Sequence, residues 1–353
     1  MNHPNVHAAW SSWSEEQTLH VVAPYINPFR YRARRELFHD FRLHLGASAN
    51  VRLHIVEVAF GDRPFEVSTP DDVQLRTGDA LWLKENAINV AIQRLPADWK
   101  YAAYVDGDFH FTRHDWALEA IHKLQHSSWV QLFSGYALLD AARRPMQQRP
   151  GFAYAYHNYF GGKPSVHRER FGATDLATAG NYGGAGISSP GRTQIRNTTP
   201  GATGGAWAFT REGFSATGGL LDTCVLGAAD WYMAFGLVGN TVDGHPEAVS
   251  CGAAYENSIR RWQERAFTAV RGNIGYVDNY CTHGWHGDHR NRGYGERWKI
   301  LRDHGFDPLL DVRRDWQGLL AWSGNKPEME ADVNRYFLGR DEDATESTMP
   351  ALF

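Results

Sequence analysis

From residue 18 to residue 139 the chain alternates between stretches whose apolar side chains fall on every second position and stretches where they recur every 3.6 residues. Strands and helices taken in turn leave few folds open, because each helix must carry the chain back across a sheet before the next strand starts. Residues 18–24 (TLHVVAP) read as a first strand, followed by a turn at Asn27-Pro28 and a helix carrying Leu37, Phe38, Phe41 and Leu45. In 51–60 (VRLHIVEVAF), Val51, Leu53 and Ile55 alternate up to the turn at Gly61-Asp62-Arg63-Pro64. Residues 79–95 predict a helix with Asp79 as its cap and Leu83, Ala87, Ile88, Ala91, Ile92 and Leu95 on one stripe. A strand at 101–105, a helix at 115–125 and a strand at 129–133 continue the alternation. The first half is thus expected to form a doubly wound α/β sheet.

Beyond Leu139 the pattern breaks. Residues 140–203 are rich in Gly, Pro, Ser, Thr and Tyr with little periodicity, the kind of long irregular stretch that usually covers a site. Order returns at 204–216, with helices expected at 229–238, 255–270 and 291–303 and a His-rich turn at 281–289. From Asp307 onward, Trp316, Leu319, Leu320 and Trp322 form a short apolar cluster expected to pack on the main domain, and the last ten residues read as mobile.

With 42% apolar and 13% aromatic residues, the chain can build a sizeable core and is no disordered segment. A net charge of -4 gives no global pull toward nucleic acid or membrane, although a local basic patch can still exist. Cys224, Cys251 and Cys281 are odd in number and widely spaced, which argues against a disulfide framework. The first residues lack a basic-then-apolar signal pattern and no 18-residue apolar run occurs, so the expected setting is cytoplasmic, without membrane contact.

Four segments carry chemistry. The strand at 101–105 ends on Asp106-Gly-Asp108, which places two hard oxygen donors at a sheet edge where Mg²⁺ or Mn²⁺ can bridge them to phosphate oxygens. Asp341-Glu-Asp343 has the same spacing in a polar tail, so only the preceding buried strand distinguishes the first pair. In Cys281-Thr-His283-Gly-Trp-His286-Gly-Asp288-His289, two imidazoles three residues apart have metal-ligand spacing and can complete a site begun by Asp108; a surface turn is the plainer alternative. Gly204-Gly205 before Trp207, and Gly227 before Asp230 and Trp231, permit close backbone approach to a ligand, with Asp230 either a helix cap or a catalytic base. Finally, Pro28-Phe29-Arg30-Tyr31-Arg32, followed by Arg34 and Arg35, offers guanidinium forks for a diphosphate or a solvated basic helix start.

Taken in order, these segments resemble a GT-A glycosyltransferase, with motifs similar to those of the β-1,4-galactosyltransferases and related bacterial and phage enzymes, over roughly residues 18–135 and 200–302. The resemblance implies a Rossmann-like mixed sheet, mostly parallel, with a long acceptor-side loop region. It implies that Pro28, Phe29, Arg30 and Arg32 contact uridine diphosphate, that Lys84 and Asp106 belong to the donor site, and that Asp108, His283 and His286 hold the metal. It further implies that Gly204, Gly205 and Trp231 form the acceptor region and that Asp230 is the base. The Glu that precedes the base in the family is Ala229 here, and residues 140–203 have no counterpart. The implied organisation is a tail (1–17), a nucleotide-sugar half (18–139), acceptor-side loops (140–203), an acceptor and catalytic half (204–306) and a C-terminal extension (307–353).

The expected reaction is inverting transfer of a hexose from a UDP-sugar, assisted by Mn²⁺ or Mg²⁺, to a hydroxyl acceptor. Glu57, at the end of the second strand, is placed to hold the ribose or base, and Trp207 to shape the sugar pocket unless it is core. The aromatic rings of 151–161 could stack on a sugar or an extruded base, and Arg260, Arg261, Arg290, Arg292 and Arg297 could track phosphates, so a glycan and a hydroxymethylated pyrimidine in phage-type DNA are both candidate acceptors. A two-metal phosphoesterase and a catalytically silent sugar-nucleotide-binding module are the competing readings. The sugar and the oligomeric state are not legible.

Overall fold

The computed structural model describes residues 17–159, 201–239, 251–294 and 296–345. Its centre is a seven-stranded sheet in the order β10-β6-β9-β4-β1-β2-β3. In sequence these are β1 (Leu19–Ile26), β2 (Val51–Phe60), β3 (Val73–Thr77), β4 (Tyr101–Val105), β6 (Trp129–Gln131), β9 (Ala206–Thr210) and β10 (Ile274–Tyr276). β1 pairs in parallel with both β2 and β4, and β3 and β10 extend the sheet in parallel, whereas β9 runs antiparallel between β4 and β6. The architecture is α/β with a mixed, mostly parallel sheet.

Period-2 alternation explains why both faces are covered. Val22 of β1, Ala102 and Tyr104 of β4, and Trp207 and Phe209 of β9 join one core together with α2 (Lys84–Ile92), α6 (Ala229–Leu237) and α7 (Ala253–Val270). Their neighbours Leu19, Val21 and Ala23, Ala103 and Val105, and Ala206 and Ala208 face the opposite core, with α1 (Arg32–Gly46) and α3 (Trp116–Lys123). Phe38, Phe41 and Leu45 form the buried stripe of α1. Burying each of those side chains contributes roughly 2–3 kcal/mol, more than the ~1 kcal/mol that a typical N-cap supplies. Tyr31, at the cap position of α1, makes no side-chain cap bond. Asp343 supplies it from far away in sequence, accepting from the Arg32 and Ala33 amides at 3.0 and 2.7 Å.

Several elements differ from the sequence expectation. Asp79 does not cap α2, which starts at Lys84; its carboxylate accepts from the Trp322 amide at 2.9 Å and so ties down the hairpin of β12 (Val312–Arg314) and β13 (Leu320–Trp322). Residues 145–159 are largely regular: β8 (Pro145–Pro150) pairs antiparallel with β7 (Gly135–Leu139), and α4 (Phe152–Tyr159) follows. β8 escapes a periodicity reading because it is short and polar. Phe152 and Tyr156 are buried core residues and Tyr154 packs edge-on against Tyr276, so these rings are not a stacking platform. The remainder of that segment, 160–200, lies outside the described residues. At the C-terminus α9 (Pro327–Leu338) packs Met329, Val333 and Phe337 into the core, and the Ala344 carbonyl accepts from the Trp285 indole; residues 346–353 are not described. All three cysteines are buried thiols outside any disulfide.

Neighbouring strands β1 and β2 bring His20 and His54 into contact, Nδ1 to Nε2 at 2.9 Å with stacked rings. Burial, followed by the charges of His20 and Arg52, pushes His54 down to about 4. Below its ordinary pKa of about 6.5 the unfolded chain takes up a proton that the folded protein refuses until about pH 4. Stability from this group is therefore present above pH 6.5 and is lost as pH falls through that window. Urea denaturation of wild type and His54→Asn at pH 7 and pH 5 should show the smaller loss in the variant; equal losses would contradict this assignment.

Candidate metal centre and cleft

Sheet order reverses between β1 and β4: the chain proceeds outward through β1, β2 and β3, then crosses to β4 on the other side. Ligand crevices open at such a reversal, outside the carboxyl ends of the strands. Here Pro28 and Phe29, just after β1, and Asp106 and Asp108, just after β4, line one cleft with a volume of about 260 Å³.

The chain turns sharply after β4, with the Phe109 amide donating to the Asp106 carbonyl at 3.1 Å, and enters a second sheet of order β5-β11-β7-β8. There β5 (Phe109–Phe111) runs antiparallel to β11 (Tyr280–His283), with Phe109 opposite His283. Asp108, one residue ahead of that pair, is thereby placed beside His283, and the Gly284 amide donates to its carbonyl at 2.8 Å. His286 arrives from the following turn. The Nε2 atoms of His286 and His283 lie 3.1 and 3.6 Å from Asp108 Oδ2, and ligand atoms of all three residues lie within 4.8 Å of one another.

This group has the chemistry of a cation site. Oδ1 of Asp108 is buried without a hydrogen-bond partner, which costs free energy unless something else compensates it, and the Nε2 atoms of both histidines face its other oxygen, with Arg292 Nη2 3.2 Å from that of His286. Burial, reinforced by the Arg292 charge, pushes His286 down to about 4, and burial also lowers His283, so both imidazoles are neutral near pH 7. Burial opposes ionisation of Asp108, but the facing imidazoles and the Arg34 guanidinium outweigh it and hold the carboxyl well below its usual range. One carboxylate and two neutral imidazoles are in the protonation state that a divalent ion requires, and the set suits Mn²⁺ or Zn²⁺ better than Ca²⁺.

Asp106 is not a fourth member of that group. Both of its oxygens accept from Lys84 Nζ at 3.1 Å, and burial pushes its carboxyl up to about 6 despite that partner. Asp230, in the first turn of α6, lines the same cleft with Trp231. Thr203 Oγ1 donates to its Oδ2 at 3.4 Å. A Cβ on Gly204 would stand 2.3 Å from that oxygen, so the Gly204-Gly205 pair leaves the carboxylate its room.

Other expected residues stand elsewhere. Glu57 does not reach the cleft: it is buried, and its carboxylate accepts from the Glu66, Val67 and Ser68 amides at 2.5, 3.0 and 2.8 Å, closing the loop after β2. Trp207 is core, its indole donating to the Thr203 carbonyl at 2.8 Å, and acts on the site only through that loop. Arg30 and Arg32 are exposed, pair with Glu66 and Glu36, and line a separate surface recess. Arg34 enters the cleft instead, and a signal existed for it: with Phe38, Phe41 and Leu45 it stands at i, i+4, i+7 and i+11 on the inward face of α1. Arg292, Arg297, Arg340 and Glu342 also line the cleft. The Asp341-Glu-Asp343 segment is thus no loose tail.

No family model matches this chain, and no curated protein matches it in sequence. No helix among the described residues is long and apolar enough to cross a membrane.

Proposed function

We propose that the protein is a metal-dependent inverting glycosyltransferase of the GT-A class, using a nucleoside diphosphate sugar, UDP-sugar first, and a hydroxyl acceptor. The observation that carries this reading is the convergence of Asp108, His283, His286 and Asp230 on one cleft at the reversal of a mixed sheet, among Arg34, Lys84 and Arg292. A cleft with that many cations suits a diphosphate. Asp108, His283 and His286 would hold the ion, which when bound supplies Lewis-acid stabilisation of the departing diphosphate. Lys84, anchored by Asp106, and Arg292 add positive charge where the leaving group's negative charge grows. Asp230 accepts the acceptor's hydroxyl proton as its oxygen bonds to the anomeric carbon and the bond to the diphosphate breaks. Ala229, in place of an acid, leaves Asp230 the only carboxylate at the start of α6.

Against a two-metal phosphoesterase stands the ligand count: among the described residues one group of three is able to hold a metal, and two-metal sites need bridging ligands for two ions roughly 4 Å apart. For the acceptor, Arg292 and Arg297 line the cleft, Arg290 faces solvent beside Asp288, and Arg260 pairs with Glu256 on α7. That division supports a cleft-bound glycan hydroxyl over a continuous DNA track; steep salt dependence of acceptor binding would reverse the preference.

Incubation with Mn²⁺ and a panel of nucleotide sugars should reveal slow hydrolysis of one donor, water standing in for the acceptor. Cleavage of phosphodiesters with every sugar nucleotide intact would overturn the proposal.

A further inference from the structure

We infer that Glu342 is a positioning residue of the metal centre, its buried carboxylate facing Nδ1 of His286 and leaving Nε2 as the ligand nitrogen. This rests on the metal-centre reading of Asp108, His283 and His286. Glu342 is 3% exposed, and its Oε2 lies 3.8 Å from Nδ1 of His286, the ring nitrogen turned away from Asp108. At that distance the contact is coulombic and not a hydrogen bond. Nε2 of the same ring lies 3.1 Å from Asp108 Oδ2 and 3.2 Å from Arg292 Nη2. Arg292 can only donate, so it and Glu342 favour the same tautomer, with the proton on Nδ1 and the lone pair on Nε2, against a pull from Asp108 that a bound cation would cancel.

Charge balance gives a second reason. The Arg34 fork donates to both Glu342 oxygens at 2.8 and 2.7 Å, and Arg340 Nε donates at 2.9 Å. Both guanidinium groups line the cleft in which a divalent cation must be seated. Glu342 neutralises them, and without it two cations would face the ion across a poorly screened interior.

The surrounding contacts hold this carboxylate in place. Asp343 caps α1, the Trp285 indole donates to the Ala344 carbonyl at 2.7 Å, and Tyr31 Oη donates to the Leu338 carbonyl at 2.9 Å. At Gly287, where φ is +86°, an added Cβ would stand 2.8 Å from the Asp341 carbonyl oxygen. The glycine after His286 therefore admits the segment that backs it.

The test compares wild type, Glu342→Gln and Glu342→Asp as full-length proteins, with Asp230→Asn as control. Calorimetric titration with Mn²⁺ should show affinity lowered roughly 10- to 100-fold in Glu342→Gln, partly restored in Glu342→Asp and unchanged in Asp230→Asn. ¹⁵N NMR of the Zn²⁺-loaded proteins should show His286 protonated on Nδ1 in wild type, with that Nδ1 resonance displaced in Glu342→Gln. A folded Glu342→Gln with wild-type affinity and an unmoved Nδ1 resonance overturns the inference. If that variant does not fold, Glu342→Asp carries the same comparison: a Mn²⁺ affinity below wild type is expected and wild-type affinity overturns the inference, as does a Zn²⁺-loaded wild type in which His286 binds through Nδ1. Failure of wild type to bind Mn²⁺, Zn²⁺ or Co²⁺ would instead overturn the metal centre itself.

Discussion

Asp108→Ala is expected to eliminate measurable Mn²⁺ binding and to lower sugar-nucleotide turnover by ~10³-fold or more. Asp108 is the hub of the group, since both imidazoles face its Oδ2, and two histidines alone retain neither the third ligand nor the anion. A bound Lewis acid supplies several kcal/mol of charge stabilisation, and each ~1.4 kcal/mol is a factor of ten in rate. The fold should survive, because the substitution removes a buried carboxylate with an unpartnered oxygen and leaves the backbone bonds of the turn in place. Metal titration, far-UV circular dichroism and donor turnover together check it. A folded variant that keeps wild-type turnover would remove Asp108 from the mechanism.

Asp230→Asn should separate binding from chemistry. Asparagine keeps the size of the side chain but cannot take a proton, and loss of a positioned general base costs about 10²–10⁴ in rate. Because Asp230 is outside the ligand group, Mn²⁺ and nucleotide affinity should stay within about twofold of wild type while transfer falls by ~10³. Its tight seat against Gly204, where even a Cβ would collide with Oδ2, allows little rearrangement. Turnover within tenfold of wild type would reject Asp230 as the base.

The elements that position the site were legible where burial imposes a period. β1, β2, β4 and α3 follow their apolar patterns, and Asp108 and Asp230 were identifiable because each polar residue interrupts or opens an apolar run. His283 and His286 were readable from spacing, but not the reason they meet Asp108, which is the pairing of a three-residue strand, β5, too short to carry a period. Arg30 and Arg34 are the instructive pair. The resemblance of Pro28-Phe29-Arg30-Tyr31-Arg32 to a diphosphate-binding motif favours Arg30 and Arg32, whereas the helical face shared with Phe38 selects Arg34. Glu57 and Glu342 reverse each other's expectation: an acid at a strand end is consumed by three amides, and an acid in a polar tail backs a buried imidazole. Both outcomes depend on contacts with chain segments whose approach no local pattern encodes.

The central claim is that the three ligands and the cationic cleft act as one donor site. UDP titrated calorimetrically into the protein, first with saturating Mn²⁺ and then after chelation, tests it most directly. The account predicts saturable binding with Mn²⁺ that weakens at least ~10-fold on chelation, since the ion is the largest single charge facing the diphosphate. Equal UDP affinity with and without metal, or no nucleotide diphosphate binding at any Mn²⁺ concentration, would contradict it.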